Sequence, residues 1–338
     1  MSSPFVHHNG EVRLVIQIPC FNEAAALPGT LADLPRAVPG FEEVLWLIVD
    51  DGSTDATAEI AKAHGADVVV KLTQNKGLAV AFQAGLDASL QLGADVIVNT
   101  DADNQYSAED IPRLVEPITQ GNADLVIGTR DIANHSEFSF LKKCLQRLGS
   151  WVVRQASATD VSDVTSGFRA YSREAALQAN VVSQFTYTLE TLIQAGRSDL
   201  AVADVPIKVN PTTRPSRLFR SKRQYVRRSA GTISRVYAMH QPLRVFNVPA
   251  ALFGIAGLAL FGRFGWFYLR SGGEGHVQSL IVGAVCLLMA MQMLMLGVLA
   301  DLLRSNRVIG ERVLRRVRNI ELTIAPHPNP DVELPDEN

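Results

Sequence analysis

The fold is decided by residues 94–106, which read ADVIVNTDADNQY. The centre of this stretch, Val96–Asn99, is typical of a short buried strand, and two acidic residues, Asp101 and Asp103, follow it directly. In open α/β sheets, ligands bind beyond the carboxyl ends of the strands. The stretch therefore predicts a strand that delivers two carboxylates to a binding site.

Short apolar runs alternate with helical patterns throughout residues 1–210. Helical patterns cover Glu23–Leu34, Thr54–His64, Lys76–Leu92 and Ala108–Ile118. Strand-like runs cover Val12–Ile18, Val44–Val49, Asp67–Lys71, Val96–Asn99, Asp124–Ile127 and Ala201–Val209. This alternation predicts an α/β fold in which a parallel sheet carries helices on both faces.

Composition narrows the classes of function. The chain has 338 residues, enough for one large domain and an appendage, and its net charge of -2 gives no sign of nucleic-acid binding. Its cysteines, Cys20, Cys144 and Cys286, are too far apart for a CxxC metal or redox pair. Residues 1–11 are polar and lack the apolar core of a signal peptide, so we expect the large domain to stay in the cytoplasm.

Two apolar runs near the C-terminus, Asn247–Tyr268 and Ser279–Leu303, are each long enough to span a bilayer. Arg263 lies near one end of its run, where its side chain can reach the interface. A helical hairpin buried in a soluble core is the alternative. Arginines flank the pair on both sides, including Arg244 and Arg304, and this bias predicts that both flanks face the cytoplasm. The hairpin also offers a surface through which copies of the chain could associate.

Two further segments are candidates for contact with a membrane surface. Residues 214–244 contain nine Lys or Arg and no Asp or Glu, which suits anionic lipid heads or a solvated charged face. Phe138–Ser157 is amphipathic, as in a helix at the membrane surface or an ordinary packing helix. The predicted organisation is a globular domain at 1–210, basic juxtamembrane helices at 211–244, two transmembrane helices at 245–304 and a partly disordered cytoplasmic tail at 305–338.

The polar residues after Val96–Asn99 suit a metal ion. Asp101 and Asp103 offer two carboxylates and Gln105 an amide oxygen, which are ligands that a hard divalent cation accepts. Mg²⁺ completes its coordination with water and phosphate oxygens. A capped turn is the structural alternative.

Two more polar clusters follow predicted strands. Residues 50–55 read DDGSTD, where Gly52 permits a tight turn and the next three residues can cap the following helix. Capping leaves the adjacent acids unexplained, and Asp51 could accept hydrogen bonds from a base or ribose. Residues 19–23 read PCFNE, in which Asn22 is a candidate helix cap.

Together these clusters resemble glycosyltransferase family 2, whose members have the nucleotide-diphospho-sugar (GT-A) fold. Within that family, the chain is similar to the dolichol-phosphate mannosyltransferases and bacterial polyprenyl-phosphate glycosyltransferases, including their C-terminal membrane hairpin. The matching segments, in the family's order and spacing, are IPCFNE at 18–23, DDGSTDAT at 50–57, NKGLAVAFQAG at 75–85, DADNQY at 101–106, GTR at 128–130 and SGFRAY at 166–171. The resemblance implies a Rossmann-like GT-A catalytic domain at 1–210.

The resemblance also implies roles for single residues. Asp101, Asp103 and Gln105 would hold Mg²⁺ or Mn²⁺ on the donor diphosphate. The residues that would bind the nucleotide-sugar donor are Pro19, Phe21, Glu23, Asp51, Lys76, Asp101, Ala102 and Asp103. The later R-x-x-G-x-S-K element of the family is present only in altered form at 214–217, which reads RPSR.

The acceptor side is implied in the same way. Arg130, Lys143 and Arg147 would bind the phosphate of a lipid acceptor. Asp163 stands where the family has an acid ahead of its SGF segment, and Asp103, Asp163 and Arg130 form the implied catalytic set.

We therefore expect a metal-dependent, inverting transfer of a hexose from a GDP- or UDP-sugar to undecaprenyl or dolichyl phosphate. The reaction is expected at the cytoplasmic face of the cell (inner) membrane. The alternatives are a family-2 transferase with another acceptor, or a non-catalytic membrane adaptor. A processive polysaccharide synthase would carry a Q-x-x-R-W element, and no Arg-Trp pair occurs in the chain.

Overall fold

The computed structural model describes residues 12–130, 161, 163–181, 187–198, 200–210, 241–271 and 277–324. The chain divides into two compact units, one formed by residues 1–226 with 311–338 and the other by residues 227–310.

The first unit is built on a seven-stranded sheet whose strand order is β3-β2-β1-β4-β6-β5-β7. The strands are β1 (Arg13–Cys20), β2 (Glu43–Asp50), β3 (Val68–Lys71), β4 (Val96–Asn99), β5 (Leu125–Arg130), β6 (Arg169–Ser172) and β7 (Val202–Ile207). The helices are α1 (Leu27–Asp33), α2 (Thr57–Ala63), α3 (Leu78–Gln91), α4 (Ile111–Thr119), α5 (Arg173–Gln178) and α6 (Tyr187–Arg197), and a 3₁₀ turn at Ala108–Asp110 precedes α4.

The sheet is mixed, so the prediction of a wholly parallel sheet is wrong at one strand. β6 runs antiparallel to both of its neighbours, β4 and β5. It starts at Arg169, which pairs with Asn99 at the carboxyl end of β4 and with Ile127 in β5. The chain therefore enters β6 at the carboxyl edge and runs back along the sheet. The pattern did not predict β6, α5 or α6. In the case of β6, the strand has only four residues and begins with an arginine.

Helices cover both faces of the sheet, as predicted. Alternate side chains of β1 point to opposite faces. Ile16 and Ile18 join a core with Leu31 of α1 and Leu114 of α4. Gln17 faces α3 instead, where its amide nitrogen donates to the Phe82 carbonyl at 3.5 Å. Because β1 pairs in parallel with both β2 and β4, the carboxyl ends of these three strands lie at the same edge of the sheet.

Three helices begin two to four residues later than the pattern predicts, at Leu27, Thr57 and Leu78 instead of Glu23, Thr54 and Lys76. The residues in between lie in loops at the carboxyl edge of the sheet. Asp55 binds in both directions: its carboxylate accepts the N–H of Ala24 in the neighbouring loop at 3.2 Å and the N–H of Thr57, the first residue of α2, at 3.1 Å. No side chain caps α1 or α3 among the described residues.

The second unit contains α7 (Pro242–Ser271) and the first part of α8 (Val277–Ile324). Both helices are long and apolar enough to cross a membrane. They approach closely at two glycines, since a Cβ atom on Gly257 would lie 2.8 Å from Leu287 and one on Gly283 would lie 2.8 Å from Phe261. Leu252 is 66% exposed, as suits a lipid-facing side chain.

α8 continues to Ile324, well beyond the predicted end of the second apolar run at Leu303. Its residues 311–324 belong to the first unit, where Arg318 donates to the Ala179 carbonyl at 2.9 Å. Arg318 also lies 3.4 Å from Asp87, and Arg315 pairs with Glu174. The predictions for residues 211–240 and 325–338 lie outside the described residues.

Candidate active site

The loop after β1 is fastened to the loop after β2 by polar side chains. The backbone N–H of Asn22 donates to Ser53 Oγ at 2.9 Å, and the N–H of Thr54 donates to Asn22 Oδ1 at 2.8 Å. The N–H of Glu23 donates to Thr57 Oγ1 at 2.9 Å. Asn22 has a φ of 54°, a conformation that asparagine tolerates better than most residues. The prediction that Asn22 caps its own helix is therefore wrong, because its side chain binds the second loop.

Asp51 holds the loop that precedes α3. Its carboxylate accepts the backbone N–H groups of Lys76 at 2.7 Å and Gly77 at 2.8 Å, and the residue is 3% exposed. Burial raises the pKa of Asp51, and the two N–H groups oppose that rise. The structure thus shows Asp51 bound to protein backbone, and its predicted contact with the nucleoside stays a prediction.

The loop after β4 carries Asp101 and Asp103 and is anchored from both sides. Thr30 of α1 donates to the Ala102 carbonyl at 2.8 Å. On the other side, the Asn210 N–H donates to the Gln105 carbonyl at 2.9 Å. The N–H of Gln105 donates to Asp103 Oδ1 at 3.1 Å, which orients that carboxylate.

Asp101 is partly buried in a negative environment. Burial, together with the charges of Asp103 and Glu23, raises its pKa to about 7, while Arg130 opposes the rise. A Cβ atom on Gly167 would lie 3.2 Å from both Asp101 oxygens and 2.9 Å from the Tyr187 hydroxyl. The glycine therefore lets the backbone approach Asp101 closely.

A divalent cation fits this pair of acids. Among the described residues, no three Asp, Glu, His or Cys side chains converge as a complete metal cage. Mg²⁺, however, is commonly held by one or two carboxylates with substrate phosphates and water. Repulsion between Asp101 and Asp103 is what such a cation would relieve. The roles of Asp101, Asp103 and Gln105 as metal ligands stay predictions.

Arg130, at the end of β5, is the cation next to this acidic pair. Its Nε donates to Asp163 Oδ2 at 2.7 Å and its Nη2 to Asp163 Oδ1 at 3.2 Å. Nη2 also donates to Thr165 Oγ1 at 3.1 Å. Burial lowers the pKa of Arg130, but the hydrogen bonds that it donates to Asp163 and the charges of Tyr106, Asp163 and Asp101 together outweigh burial, and the net shift is upward. A guanidinium fixed by Asp163 and Thr165 thus interacts electrostatically with Asp101 of the β4 loop.

A buried polar network supports the site from below, and most of it was not predicted. Gln17 donates to Asn99 Oδ1 at 2.9 Å, and the Asn99 amide donates to the Gly167 carbonyl at 2.9 Å and to the Tyr187 hydroxyl at 3.0 Å. The N–H of Gly167 donates to the Tyr106 hydroxyl at 3.1 Å. The polar residues Gln17 and Asn99, each within a predicted strand, were the signals in the sequence.

Arg169 ties the loop before β6 to α6. It is fully buried and donates to the carbonyls of Ser166 at 2.8 Å, Val164 at 2.9 Å and Thr188 at 2.8 Å. In the described part of the chain, its hydrogen bonds go to carbonyls and to the Thr191 hydroxyl.

The structure brings most of the predicted site residues to one edge of the sheet. Phe21 is 41% exposed there, whereas Ala102 is 5% exposed. Pro19 is the penultimate residue of β1, and Glu23 follows in the next loop. Lys143 and Arg147 lie outside the described residues.

Residues 15–178 match the family described as Glycosyl transferase family 2. The undecaprenyl-phosphate mannosyltransferase of Micrococcus luteus is 32% identical over 206 residues, which cover 58% of this chain and 83% of that protein. Glycosyltransferase AglJ of Haloferax volcanii is 28% identical over 320 residues, which cover 90% of this chain and 97% of that protein.

A solved structure shares the fold. Glucosyl-3-phosphoglycerate synthase from Mycobacterium tuberculosis, in complex with Mn²⁺, UDP-glucose and phosphoglyceric acid, superposes with a TM-score of 0.52. The identity is 21%, and the match covers 68% of this chain and 80% of that chain. The likeness establishes the GT-A fold and nothing finer.

Proposed function

Since the chain belongs to glycosyl transferase family 2, we propose that it transfers a hexose from a GDP- or UDP-sugar to a polyprenyl phosphate, with inversion at the sugar. The product would be a lipid-phosphate-linked monosaccharide. A relative named for transfer to undecaprenyl phosphate supports the acceptor class, and the two long apolar helices indicate a membrane protein.

The observation that carries the proposal is the placement of Arg130 beside the acidic pair Asp101 and Asp103. The charge of Arg130 lowers the pKa of Asp101 and the charge of Asp101 raises that of Arg130, so these two side chains share one site. A nucleotide-sugar with its cation suits the carboxylates, and a phosphate monoester suits the arginine. The site therefore has separate recognition groups for a donor and for a phosphate acceptor.

The chemistry follows from the acceptor. A phosphate monoester has a second pKa of about 6, so at neutral pH it is largely a dianionic nucleophile without help from a base. Its oxygen would attack the anomeric carbon from the face opposite the nucleoside diphosphate. A divalent cation held by Asp101 and Asp103 would offset the negative charge that the leaving group gains. Arg130 would bind and orient the attacking phosphate.

Membrane attachment gives the acceptor access to this site. A polyprenyl phosphate keeps its tail in the bilayer, and an enzyme on the same surface meets it at a raised local concentration. Arg244, Arg304 and Arg307 flank the apolar helices, which supports a cytoplasmic location for the catalytic unit.

Glycolipid formation tests the proposal. Purified protein in detergent would receive Mg²⁺ or Mn²⁺, undecaprenyl phosphate and a panel of UDP- and GDP-sugars, with mass spectrometry as the readout. We expect a lipid-phosphate-hexose from at least one donor, and no product from undecaprenol, which lacks the phosphate. Absence of product from every donor and several lipid lengths would contradict the proposal.

A further inference from the structure

We propose that Asp163 is a positioning residue that fixes the guanidinium of Arg130, and that it is not the general base of the transfer. This inference rests on the proposed function, because the role of Arg130 is defined there.

The contacts of Asp163 leave little room for a base. Oδ2 accepts from Arg130 Nε at 2.7 Å, and Oδ1 accepts from Arg130 Nη2 at 3.2 Å and from Thr165 Oγ1 at 2.9 Å. The Thr165 N–H donates to the same Oδ1 at 3.3 Å. The Asp163 side chain is 1% exposed. A general base must come within hydrogen-bond reach of the proton that it removes, and this carboxylate is enclosed by protein donors.

Its protonation equilibrium points the same way. Burial alone would raise the pKa of Asp163, but hydrogen bonds and charge from Arg130, with help from Thr165, hold it below its usual value. A carboxylate with lowered proton affinity is a weaker base. The proposed reaction also requires none: an oxygen of the acceptor dianion forms the new bond to the anomeric carbon, and the bond to the nucleoside diphosphate breaks with its electron pair on that leaving group.

The arginine gains a fixed direction from this contact. A guanidinium has five N–H donors in a rigid plane. Asp163 and Thr165 engage Nε and Nη2, and Nη1 makes no hydrogen bond to any other residue that the structure describes. The Arg130 side chain is 22% exposed, so part of it is open to a ligand. A preoriented donor loses less freedom when it binds the acceptor phosphate.

The test compares four variants with wild type in the glycolipid assay: Asp163→Asn, Arg130→Lys, the double variant and Thr165→Val. KM for undecaprenyl phosphate, KM for the donor, kcat and the pH dependence of kcat/KM are measured. Ser172→Ala is the matched control, because it removes a hydrogen bond to the Ala175 N–H elsewhere in the same unit.

If Asp163 positions Arg130, Asp163→Asn raises the acceptor KM by at least about tenfold, because a misaligned donor fork costs roughly one strong hydrogen bond. The donor KM and the acidic limb of the pH profile stay as in wild type. Thr165→Val raises the acceptor KM in the same direction by a smaller factor. In the Arg130→Lys background, Asp163→Asn adds little, because its effect passes through the arginine. Ser172→Ala leaves the acceptor KM unchanged.

A general base gives the opposite pattern. Asp163→Asn would then lower kcat by about 10²–10⁴-fold with the acceptor KM unchanged, abolish the acidic limb, and cost as much with Lys at position 130. If Asp163→Asn fails to fold, Thr165→Val decides, since an unchanged acceptor KM in that variant overturns the inference. A wild-type protein that makes no glycolipid contradicts the proposed function itself, an outcome that is distinct from either pattern.

Discussion

Gly167 lies so close to Asp101 that a Cβ atom at position 167 would be 3.2 Å from both carboxylate oxygens. The same Cβ would be 2.9 Å from the Tyr187 hydroxyl, which accepts a hydrogen bond from Asn99. Asp101 therefore has a neighbour on which its position depends, and that neighbour must lack a side chain.

We expect Gly167→Ala to displace the Asp101 carboxylate by a few tenths of an ångström and to lower kcat/KM by less than the roughly hundredfold that a misplacement of about 1 Å costs. Overpacking would cost about 1–3 kcal/mol of unfolding free energy. Gly29→Ala is the control, because a Cβ on Gly29 meets nothing within 4 Å and α1 gains a better helix former. Glycolipid assays and thermal unfolding measure both effects, and near-normal activity in Gly167→Ala would show that Asp101 tolerates the shift.

Asp103→Ala should abolish turnover while the protein still folds. Asp103 is partly exposed and its one described hydrogen bond is to the Gln105 N–H, so its loss has little effect on folding. With only Asp101 left, the pair that we propose for the cation is broken. EDTA should likewise abolish wild-type activity, and added Mg²⁺ or Mn²⁺ should restore it. Retained turnover in Asp103→Ala, with a normal melting temperature, would rule out the metal assignment.

Gly52→Ala should destabilise the catalytic unit more than an ordinary glycine substitution. Gly52 has a φ of +67°, and its Cβ would clash with the Gln74 carbonyl carbon and lie 2.7 Å from the Asn75 nitrogen. The left-handed conformation costs about 1–2 kcal/mol for a residue with a side chain. The clash with backbone adds about 1–3 kcal/mol and shifts the loop that Asp51 holds.

Gly40→Ala separates the two effects of that substitution. Gly40 also has a positive φ, of +91°, but its Cβ would only reach 4.0 Å from Thr119. Gly40→Ala should therefore lose stability only through the cost of a positive φ in a residue with a side chain, without a clash. Equal melting temperatures for the Gly40→Ala and Gly52→Ala variants would contradict the clash.

The strands were predictable where an apolar run is bounded by polar residues, and β4 begins and ends as predicted at Val96 and Asn99. The sequence also placed the carboxylates of Asp101 and Asp103 at the edge where β4 ends. Helix starts were predicted too early, because Asn22 and Asp51 bind neighbouring loops, and the sequence does not indicate which loop a polar side chain will meet.

Contacts between residues far apart in the sequence account for the features of the site that the sequence did not predict. The Arg130–Asp163 pair joins residues 33 positions apart, and the bond from Asn99 to Tyr187 joins residues 88 positions apart. Neither follows a helical or strand period, so no local pattern predicts it. β6 makes both contacts possible, because it runs antiparallel to β4 and β5 and so returns the chain beside the strands that end in Asn99 and Arg130.

The Arg130–Asp163 pair should make stability depend on acid pH. The pKa of Asp163 is lowered in the folded state, so the pair stabilises the fold above the unfolded-state pKa, and this contribution is lost as pH falls through the folded-state value. Asp163→Asn should therefore be less stable than wild type at pH 7, and the gap should narrow below about pH 4, near the ordinary pKa of aspartate. Thermal unfolding across that range measures the gap. A gap that is constant with pH would contradict the shift.

The C-terminal end of α8 should contribute to the stability of the catalytic unit through Arg318. This side chain is 16% exposed, donates to the Ala179 carbonyl at 2.9 Å and lies 3.4 Å from Asp87. Arg318→Ala should cost about 1–2 kcal/mol of unfolding free energy, since a charged hydrogen bond is lost at a mostly covered site. Arg316→Ala is the matched control, because Arg316 is exposed and makes no hydrogen bond or ion pair among the described residues. Both variants remove one positive charge from the same helix, so a general electrostatic effect would lower both melting temperatures equally, whereas a specific contact lowers only that of Arg318→Ala.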